Sequence, residues 1–308
     1  MSLSGGLPTR IGLGTAPISS HPTAPHWWGP QDRDTAVRAV RAAVDAGVGW
    51  IDTAPMYGWG RAEEIVAEAL AGISERPLVF TKCGTLRADD GSFYTDNSPS
   101  ALRGDVQGSL RRLDADRLDL VQVHDEDPSV PIEETWGALH DLVGEGIVGA
   151  VGLSNHAVEL LDRALAVGPV ATVQNQYSLL DRSPELDGTL EWCERNGVTF
   201  LSWGSVGAGF LADGFELPEL DPDDLRHRLR WAGTDAALTA RTREAVATIA
   251  STRGYTMVAV ALAWLTTRPF VFPIVGARTP AEAVALAEPL PSLDGDELAL
   301  LDACCADR

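Results

Sequence analysis

The chain has 308 residues, 45% of them hydrophobic, and its formal net charge is −20 at pH 7. Nucleic acids and anionic membrane surfaces attract clustered Lys and Arg, so this charge argues against both as partners. The sequence shows neither a signal-peptide pattern nor an apolar run approaching the roughly 20 residues of a membrane span. We therefore expect a cytoplasmic protein with a large hydrophobic core.

Short β-rich runs alternate with amphipathic helical stretches along the chain, a pattern typical of a parallel sheet. The pattern predicts eight strands, over residues 9–13, 48–52, 78–82, 118–123, 147–152, 171–174, 198–203 and 271–275. Helices are predicted over residues 34–46, 99–113, 131–143, 183–196, 235–253, 280–290 and 294–303. A long acidic segment, 204–233, follows the seventh strand, and we interpret it as a lid because irregular loops of this length are usually functional.

Eight strands with alternating helices in about 300 residues predict one (β/α)8 barrel domain over residues 1–308, with this lid inserted. The rival fold is a doubly wound dinucleotide-binding sheet. Its glycine fingerprint fails here, because Gly12-Leu13-Gly14 lacks the third glycine and is followed by Pro17 rather than by a helix start. The barrel is therefore the predicted fold.

Four polar residues, Asp52, Tyr57, Lys82 and His124, lie at or just after the C-terminal ends of the predicted strands 2, 3 and 4. Asp52, Lys82 and His124 each come directly after an apolar run, and Tyr57 lies in the loop after Asp52. A parallel barrel gathers the C-terminal ends of its strands at one mouth. We therefore expect an acid, a phenol, an ammonium and an imidazole to meet there as a proton-transfer site.

Five sequence blocks resemble the signature blocks of the aldo-keto reductase superfamily, in order and at suitable spacing. They span residues 51–58, 80–82, 121–124, 151–155 and 173–177. The resemblance covers nearly the whole chain. It implies a (β/α)8 barrel and an NADP(H)-dependent oxidoreductase that interconverts a carbonyl and an alcohol by hydride transfer.

Carbonyl reduction needs an acid that protonates the developing alkoxide. A free tyrosine, with a pKa near 10, is a poor acid or base at neutral pH, but a neighbouring ammonium lowers that pKa. We therefore expect Tyr57 to be the general acid/base, Lys82 to tune it and Asp52 to hold Lys82. His124 would orient the substrate oxygen, and the resemblance implies the same four roles.

The resemblance also implies which residues bind the cofactor, at the ends of the later strands. Ser154, Asn155 and Gln174 would hold the nicotinamide carboxamide, and Trp203 would stack on the ring. Ser205 and Gly207 stand in the loop that would contact the pyrophosphate, although Gly204-Ser205-Val206 departs from the family's common Ser-Pro-Leu. Gly276 and Arg278 would place the adenosine 2′-phosphate, which favours NADP(H).

Three alternatives stay open. Glu282 stands where many relatives carry a basic or amide residue, so NAD(H) is the second choice of cofactor. Lys82 would be the nucleophile if the barrel were a Schiff-base aldolase. Some relatives are cofactor-sensing regulatory subunits with vestigial activity, so the third alternative is a regulatory function of this kind.

The substrate pocket is predicted to have an aromatic wall. Trp28 and Trp59 follow the first and second strands, which places them at the predicted catalytic mouth. No metal site is predicted, because the four cysteines lack CxxC or zinc-finger spacing.

Overall fold

A closed barrel of eight parallel strands forms the centre of the protein. The structure is a computed structural model, and it describes residues 6–20, 28–216, 224–228 and 236–304. The barrel strands are β1 (Gly12–Gly14), β2 (Trp50–Asp52), β3 (Leu78–Cys83), β6 (Leu118–Val123), β7 (Val148–Ser154), β8 (Thr172–Gln176), β9 (Thr199–Trp203) and β10 (Val271–Gly276). Each pairs with its neighbours in the order β1-β10-β9-β8-β7-β6-β3-β2.

The predicted (β/α)8 fold is thus confirmed, and a strand is found near each predicted position. The first strand is shorter than predicted and begins later, at Gly12. A hairpin of β4 (Thr85–Arg87) and β5 (Phe93–Thr95), which was not predicted, follows β3. Its turn contains Asp90-Gly91, a dipeptide typical of hairpin turns between short strands.

Helices surround the barrel. They are α1 (Arg33–Asp45), α2 (Arg61–Leu70), α3 (Pro99–Leu113), α4 (Ile132–Gly144), α5 (Val158–Val167), α6 (Ser183–Leu186), α7 (Thr189–Asn196), α8 (Ala236–Arg253), α9 (Met257–Leu265), α10 (Pro280–Ala285) and α11 (Gly295–Ala303). Two of the predicted helices were longer than the helices observed. Residues 183–196 form two helices, because Gly188 adopts a φ of +84° between them, and the helix predicted over 280–290 ends at Ala285.

Local start signals account for several of these boundaries. The side chain of Ser98 accepts a hydrogen bond from the backbone N–H of Ala101 and so caps α3, with Pro99 in the first turn. Thr256 caps α9 in the same way. No single helix in the described ranges is long and apolar enough to cross a membrane; α8 and α9 pass that test only together, and they are bent by 106° relative to each other.

The barrel interior is divided into an apolar floor and a polar mouth. The floor is a buried cluster contributed by alternate residues of the strands: Trp50, Phe80, Leu120, Ala150, Leu201, Phe272 and Ile274. Because side chains alternate along a strand, the next inward positions toward the C-terminal ends are Asp52, Lys82 and Gln122. The polar layer therefore lies on a well-packed base.

Candidate active site

Asp52, Lys82 and Tyr57 form one hydrogen-bonded chain in the polar layer of the barrel. The Nζ atom of Lys82 donates to Oδ1 of Asp52 at 2.5 Å, to the backbone oxygen of Thr53 at 3.1 Å and to the hydroxyl oxygen of Tyr57 at 3.3 Å. The side chain of Lys82 is 1% exposed and that of Asp52 is 3% exposed. The buried ammonium is thus held by a carboxylate on one side and touches the phenol on the other.

His124 completes the group that the sequence predicted to meet at the mouth. It follows β6, is buried, and its ring lies edge-on to that of Tyr57 with 5.9 Å between the centroids. Burial lowers the pKa of His124 well below its ordinary value, and repulsion from Lys82 lowers it further. At neutral pH the imidazole is therefore uncharged, and its ring nitrogens can orient a polar oxygen.

The environment keeps both Lys82 and Tyr57 protonated at neutral pH. Burial lowers the pKa of Lys82, but attraction to Asp52 and Tyr57 outweighs it and raises that pKa above its ordinary value. Burial raises the pKa of Tyr57, and the opposing effect of Lys82 does not cancel it. Lys82 does lower the pKa of Tyr57, as expected. Removal of the phenol from water raises that pKa by more, so the net shift is upward.

Gln174 belongs to the same buried chain. Its Nε2 atom donates to Oδ2 of Asp52 at 2.8 Å, the carboxylate oxygen that does not face Lys82. The resemblance assigned Gln174 to the nicotinamide carboxamide, and here its amide nitrogen points to the carboxylate of Asp52. Sequence analysis missed Gln122, whose Nε2 atom lies 3.4 Å from the same oxygen.

Ser154 and Asn155 lie at the end of β7, and Asn155 contacts the backbone of His124. The Ser154 side chain is buried, and its hydroxyl makes no hydrogen bond within the described structure. The exposed Asn155, with a φ of +60°, donates from its amide to the backbone oxygen of His124 and to Asp125. Its Oδ1 atom accepts a hydrogen bond from the indole of Trp203 at 3.0 Å, which fixes the half-buried ring at the end of β9.

The loop after β9 turns its polar side chain inward. The buried hydroxyl of Ser205 donates to the backbone oxygen of Ser202 at 2.7 Å, so it is not displayed at the surface. Gly207, with a φ of +57°, begins a short 3-10 turn that ends at Gly209. A ligand at this loop would therefore contact mainly backbone groups, because the Ser205 hydroxyl is bonded within the protein.

Arg278, which follows Gly276 at the end of β10, is bound to the loop after β1. Its guanidinium donates to the backbone oxygens of Trp28 and Pro30, each at 2.5 Å, and to Oε1 of Gln31 at 2.9 Å. A carboxylate oxygen of Glu282 accepts the backbone N–H of Arg278 at 2.7 Å. The groups predicted to receive a 2′-phosphate are thus engaged within the protein.

The two tryptophans of the predicted substrate pocket have different neighbours. Trp59, with a φ of +55°, follows the Tyr57 turn, and the guanidinium of Arg87 on β4 lies 5.5 Å from its ring centroid. Trp28 lies near Arg278, and the guanidinium of Arg226 is 5.3 Å from its ring centroid. Trp59 is thus beside the turn that contains Tyr57, and Trp28 is beside the predicted phosphate site.

The predicted lid is described only in part, since residues 217–223 and 229–233 lie outside the described ranges. Arg226 forms an ion pair with the buried Asp224 at 2.7 Å, and its guanidinium faces the rings of both Trp28 and Phe215. This part of the predicted lid therefore packs against the loop that Arg278 holds.

Comparison with known proteins confirms the family that the sequence resembles. The sequence model of the aldo/keto reductase family matches residues 10–306. The chain is 34% identical over 285 residues to aldo-keto reductase YhdN of Bacillus subtilis (strain 168), a match that covers 91% of this chain and 84% of that protein. The chain belongs to the aldo/keto reductase family.

Further relatives within this family have solved structures or named activities. Glycerol dehydrogenase AKR11B4 from Gluconobacter oxydans superposes with a TM-score of 0.86 at 31% identity, covering 97% of this chain and 91% of that one. An aldo/keto reductase from Klebsiella pneumoniae, solved with NADP and acetate, gives a TM-score of 0.70 at 29% identity, with coverages of 96% and 90%. The NADH-specific methylglyoxal reductase of Escherichia coli (strain K12) is 32% identical over 216 residues, 66% of this chain and 65% of that protein.

Family membership makes the protein an oxidoreductase that binds a small-molecule substrate and a cofactor. The residues at the barrel mouth fit a nicotinamide group. The buried hydroxyl of Ser154 lacks a partner in the described ranges, and the next residue, Asn155, holds the indole ring of Trp203 by a hydrogen bond. A polar group and an aromatic face are thus in place for a flat amide-bearing ring.

Proposed function

We propose that the protein is an NADP(H)-dependent carbonyl reductase that interconverts an aldehyde or ketone with an alcohol. The observation that carries this proposal is the contact of the buried Lys82 ammonium with both Asp52 and the Tyr57 hydroxyl. A bound nicotinamide supplies or accepts the hydride in such a reaction. The protein must then supply or accept a proton, and the contact between Lys82 and Tyr57 supports Tyr57 in this role.

Tyr57 is the proposed proton donor to the carbonyl oxygen. Its raised pKa keeps the phenol protonated at neutral pH, and the nearby Lys82 ammonium stabilises the phenolate that remains after the proton has left. Asp52 holds Lys82 in place and balances its charge in the barrel interior. The neutral His124 orients the carbonyl oxygen toward Tyr57 by a hydrogen bond.

The nicotinamide end of the cofactor is proposed to lie against Ser154, Asn155, Gln174 and Trp203. The NADP-bound relative from Klebsiella pneumoniae supports NADP(H) as the cofactor. Binding of a 2′-phosphate by Arg278 requires its guanidinium to exchange the backbone oxygens of Trp28 and Pro30 for phosphate oxygens. Ser205, Gly207 and Gly276 are proposed to approach the rest of the dinucleotide, with backbone groups as the main donors.

NAD(H) is the second candidate, and a specific observation favours it. In this structure Arg278 is already bound by carbonyl oxygens, and the carboxylate of Glu282 sits on its backbone N–H. Both features disfavour an added phosphate, and the Escherichia coli relative is named as NADH-specific. A Schiff-base aldolase is disfavoured, because that chemistry needs a neutral amine and the pKa of Lys82 is raised.

Fluorescence titration with NADPH and with NADH, followed by a panel of aldehydes and ketones monitored at the nicotinamide absorbance, tests the proposal. We expect saturable quenching of tryptophan fluorescence and carbonyl-dependent oxidation of NADPH. Tight cofactor binding with no turnover across the panel would instead favour a regulatory, cofactor-sensing role.

A further inference from the structure

Three residues lie in one row across neighbouring strands of the barrel. Gln122 on β6 is in register with Gly152 on β7, and Gly152 is in register with Thr172 on β8. Because Gly152 has no side chain, the hydroxyl of Thr172 reaches Oε1 of Gln122 at 3.1 Å. A Cβ atom at position 152 would lie 2.1 Å from that hydroxyl, so this contact requires glycine in the middle of the row.

The neighbours of Gln122 together fix which end of its amide faces which group, because the carboxylate of Asp52 can only accept a hydrogen bond whereas the hydroxyl of Thr172 can donate one. Oε1 of Gln122 accepts from the Thr172 hydroxyl and lies 3.4 Å from Nε2 of Gln174. The opposite end, Nε2 of Gln122, therefore faces Oδ2 of Asp52. If the amide were turned round, its oxygen would face the carboxylate and its nitrogen would face the Gln174 amide nitrogen, which is unfavourable at both ends.

The same arrangement directs the amide of Gln174. Its nitrogen is drawn toward two oxygens, Oδ2 of Asp52 at 2.8 Å and Oε1 of Gln122 at 3.4 Å. Gln122, Thr172 and Gln174 are all buried, so water does not compete for these groups. The carbonyl oxygen of Gln174 is then the end of its amide that is left to accept a hydrogen bond from a ligand.

We propose that Gln122 and Thr172 are positioning residues of this reductase, which hold the Gln174 amide with its nitrogen on Asp52 and its oxygen available to the carboxamide N–H of a nicotinamide. This inference rests on the proposed function and deepens it. Gln174 then joins the cofactor site to the Asp52–Lys82–Tyr57 chain. Disturbing the row should affect both cofactor affinity and the proton donor.

The sharpest test compares two substitutions at Thr172. Thr172→Val removes only the hydroxyl and keeps the branched shape, whereas Thr172→Ser keeps the hydroxyl. We expect Thr172→Val to raise the Kd for the cofactor about fivefold to tenfold, the size expected from the loss of one buried hydrogen bond, and Thr172→Ser to restore most of the affinity. Gln122→Met, which has a similar shape but no amide, should match Thr172→Val or exceed it.

A pH profile of alcohol oxidation supplies a readout that simple loss of packing would not move. Oxidation requires the Tyr57 phenolate, so the rate rises with pH as Tyr57 loses its proton. A looser Asp52 allows Lys82 to move away from Tyr57, which weakens the stabilisation of the phenolate. In Thr172→Val the rising limb should therefore move to higher pH.

Thr199→Val serves as the matched control, since Thr199 is the register partner of Thr172 on the next strand, β9, but is not among the residues whose side chains hydrogen-bond to Gln122 in the described structure. It should leave both the Kd and the pH profile unchanged. Suppose that the wild-type enzyme is active and that Thr172→Val keeps both its cofactor Kd and its pH profile of alcohol oxidation. That result would overturn this inference but not the proposed function. A wild-type protein that neither binds nor oxidises a reduced nicotinamide would overturn the proposed function as well. If Gln122→Met does not fold, the comparison of Thr172→Val with Thr172→Ser still tests the inference.

Discussion

The Nζ atom of Lys82 lies 3.3 Å from the hydroxyl oxygen of Tyr57, although the two residues belong to different elements of the barrel. Lys82 is part of β3, and Tyr57 lies in the turn between β2 and α2. The contact exists because β2 and β3 are neighbouring parallel strands whose C-terminal ends meet. It places a permanent positive charge where a tyrosinate would form, and the predictions for catalysis follow from it.

Tyr57→Phe should remove the proton donor and leave the fold intact. We expect the rate of carbonyl reduction to fall by roughly 10²–10⁴-fold, the usual contribution of a general acid, with the Kd for the cofactor within about twofold of wild type. Steady-state kinetics and fluorescence titration measure the two quantities. Tyr94→Phe makes the same change on the exposed hairpin strand β5 and should have no effect. Turnover at the wild-type rate in Tyr57→Phe would refute the assignment.

Lys82 and Asp52 should be coupled in stability as well as in catalysis. Replacing Lys82 with Met leaves a buried carboxylate without its cation, and replacing Asp52 with Asn leaves a buried ammonium without its anion. Each single variant should lose about 3–5 kcal/mol of unfolding free energy in urea titrations, since breaking a buried pair costs about that much. The double variant should lose clearly less than the sum. Strict additivity would mean that the pair does not interact in solution.

The barrel and the meeting of Asp52, Tyr57, Lys82 and His124 were predictable, because both depend on local patterns and on one geometric rule. Apolar runs mark strands, and the ends of parallel strands converge. The hairpin that carries Tyr94 was missed although its turn sequence, Asp90-Gly91, was visible.

Other contacts depend on register or on residues far apart in the chain. The row of Gln122, Gly152 and Thr172 forms only when β6, β7 and β8 pair in one particular register, which no local pattern specifies. Arg278 was predicted to receive a phosphate, and its contact with the backbone of Trp28, 250 positions away, has no sequence signal. A backbone carbonyl can accept from any arginine, whatever its own side chain.

The choice between NADP(H) and NAD(H) should depend on Arg278 and Glu282. Arg278→Ala should weaken the binding of NADPH about tenfold more than the binding of NADH, because it removes a charged group that donates hydrogen bonds to a phosphate. Glu282→Gln removes the negative charge beside the backbone N–H of Arg278. It should raise the affinity for NADPH several-fold and leave the affinity for NADH unchanged. Titrations with both cofactors measure these ratios, and Arg76→Ala, at an exposed arginine before β3, is the control. Equal losses for both cofactors in Arg278→Ala would contradict a phosphate contact.

Two buried groups should shape the acid side of the stability profile in opposite directions. Burial lowers the pKa of His156 to about 4 from 6.5, so between these values the unfolded chain binds the extra proton and stability falls as the pH falls. Burial raises the pKa of Asp105 to about 6 from 3.8, so there the folded protein binds the extra proton and stability rises as the pH falls. The His156 contribution amounts to roughly 3 kcal/mol over its range.

Urea titrations between pH 4 and 7 separate these two effects. His156→Gln should make the loss of stability toward low pH smaller than in wild type. Asp105→Asn, which keeps an acceptor for the backbone N–H of Gly84, should make that loss larger. If both variants gave the wild-type pH dependence, the two side chains would have the same proton affinity in the folded and unfolded chain.

Glu63 should stabilise the outer face of β3, directly behind Lys82. It is fully buried, accepts from Arg112 on α3 at 2.5 Å and from the hydroxyl of Thr81 at 2.6 Å, and so joins α2, α3 and β3. We expect Glu63→Ala to cost about 2–3 kcal/mol of unfolding free energy, below the usual range for a fully buried pair because Arg112 stays 28% exposed.

Glu64→Ala removes the neighbouring carboxylate, which is half-exposed and pairs with Arg33 at the surface. It should leave the free energy of unfolding nearly unchanged, since exposed ion pairs contribute little. Glu63→Ala should also lower the rate of carbonyl reduction, because Thr81 precedes Lys82 and Glu63 follows the Tyr57 turn. A Glu63→Ala variant as stable as Glu64→Ala would show that the buried pair adds nothing to the fold.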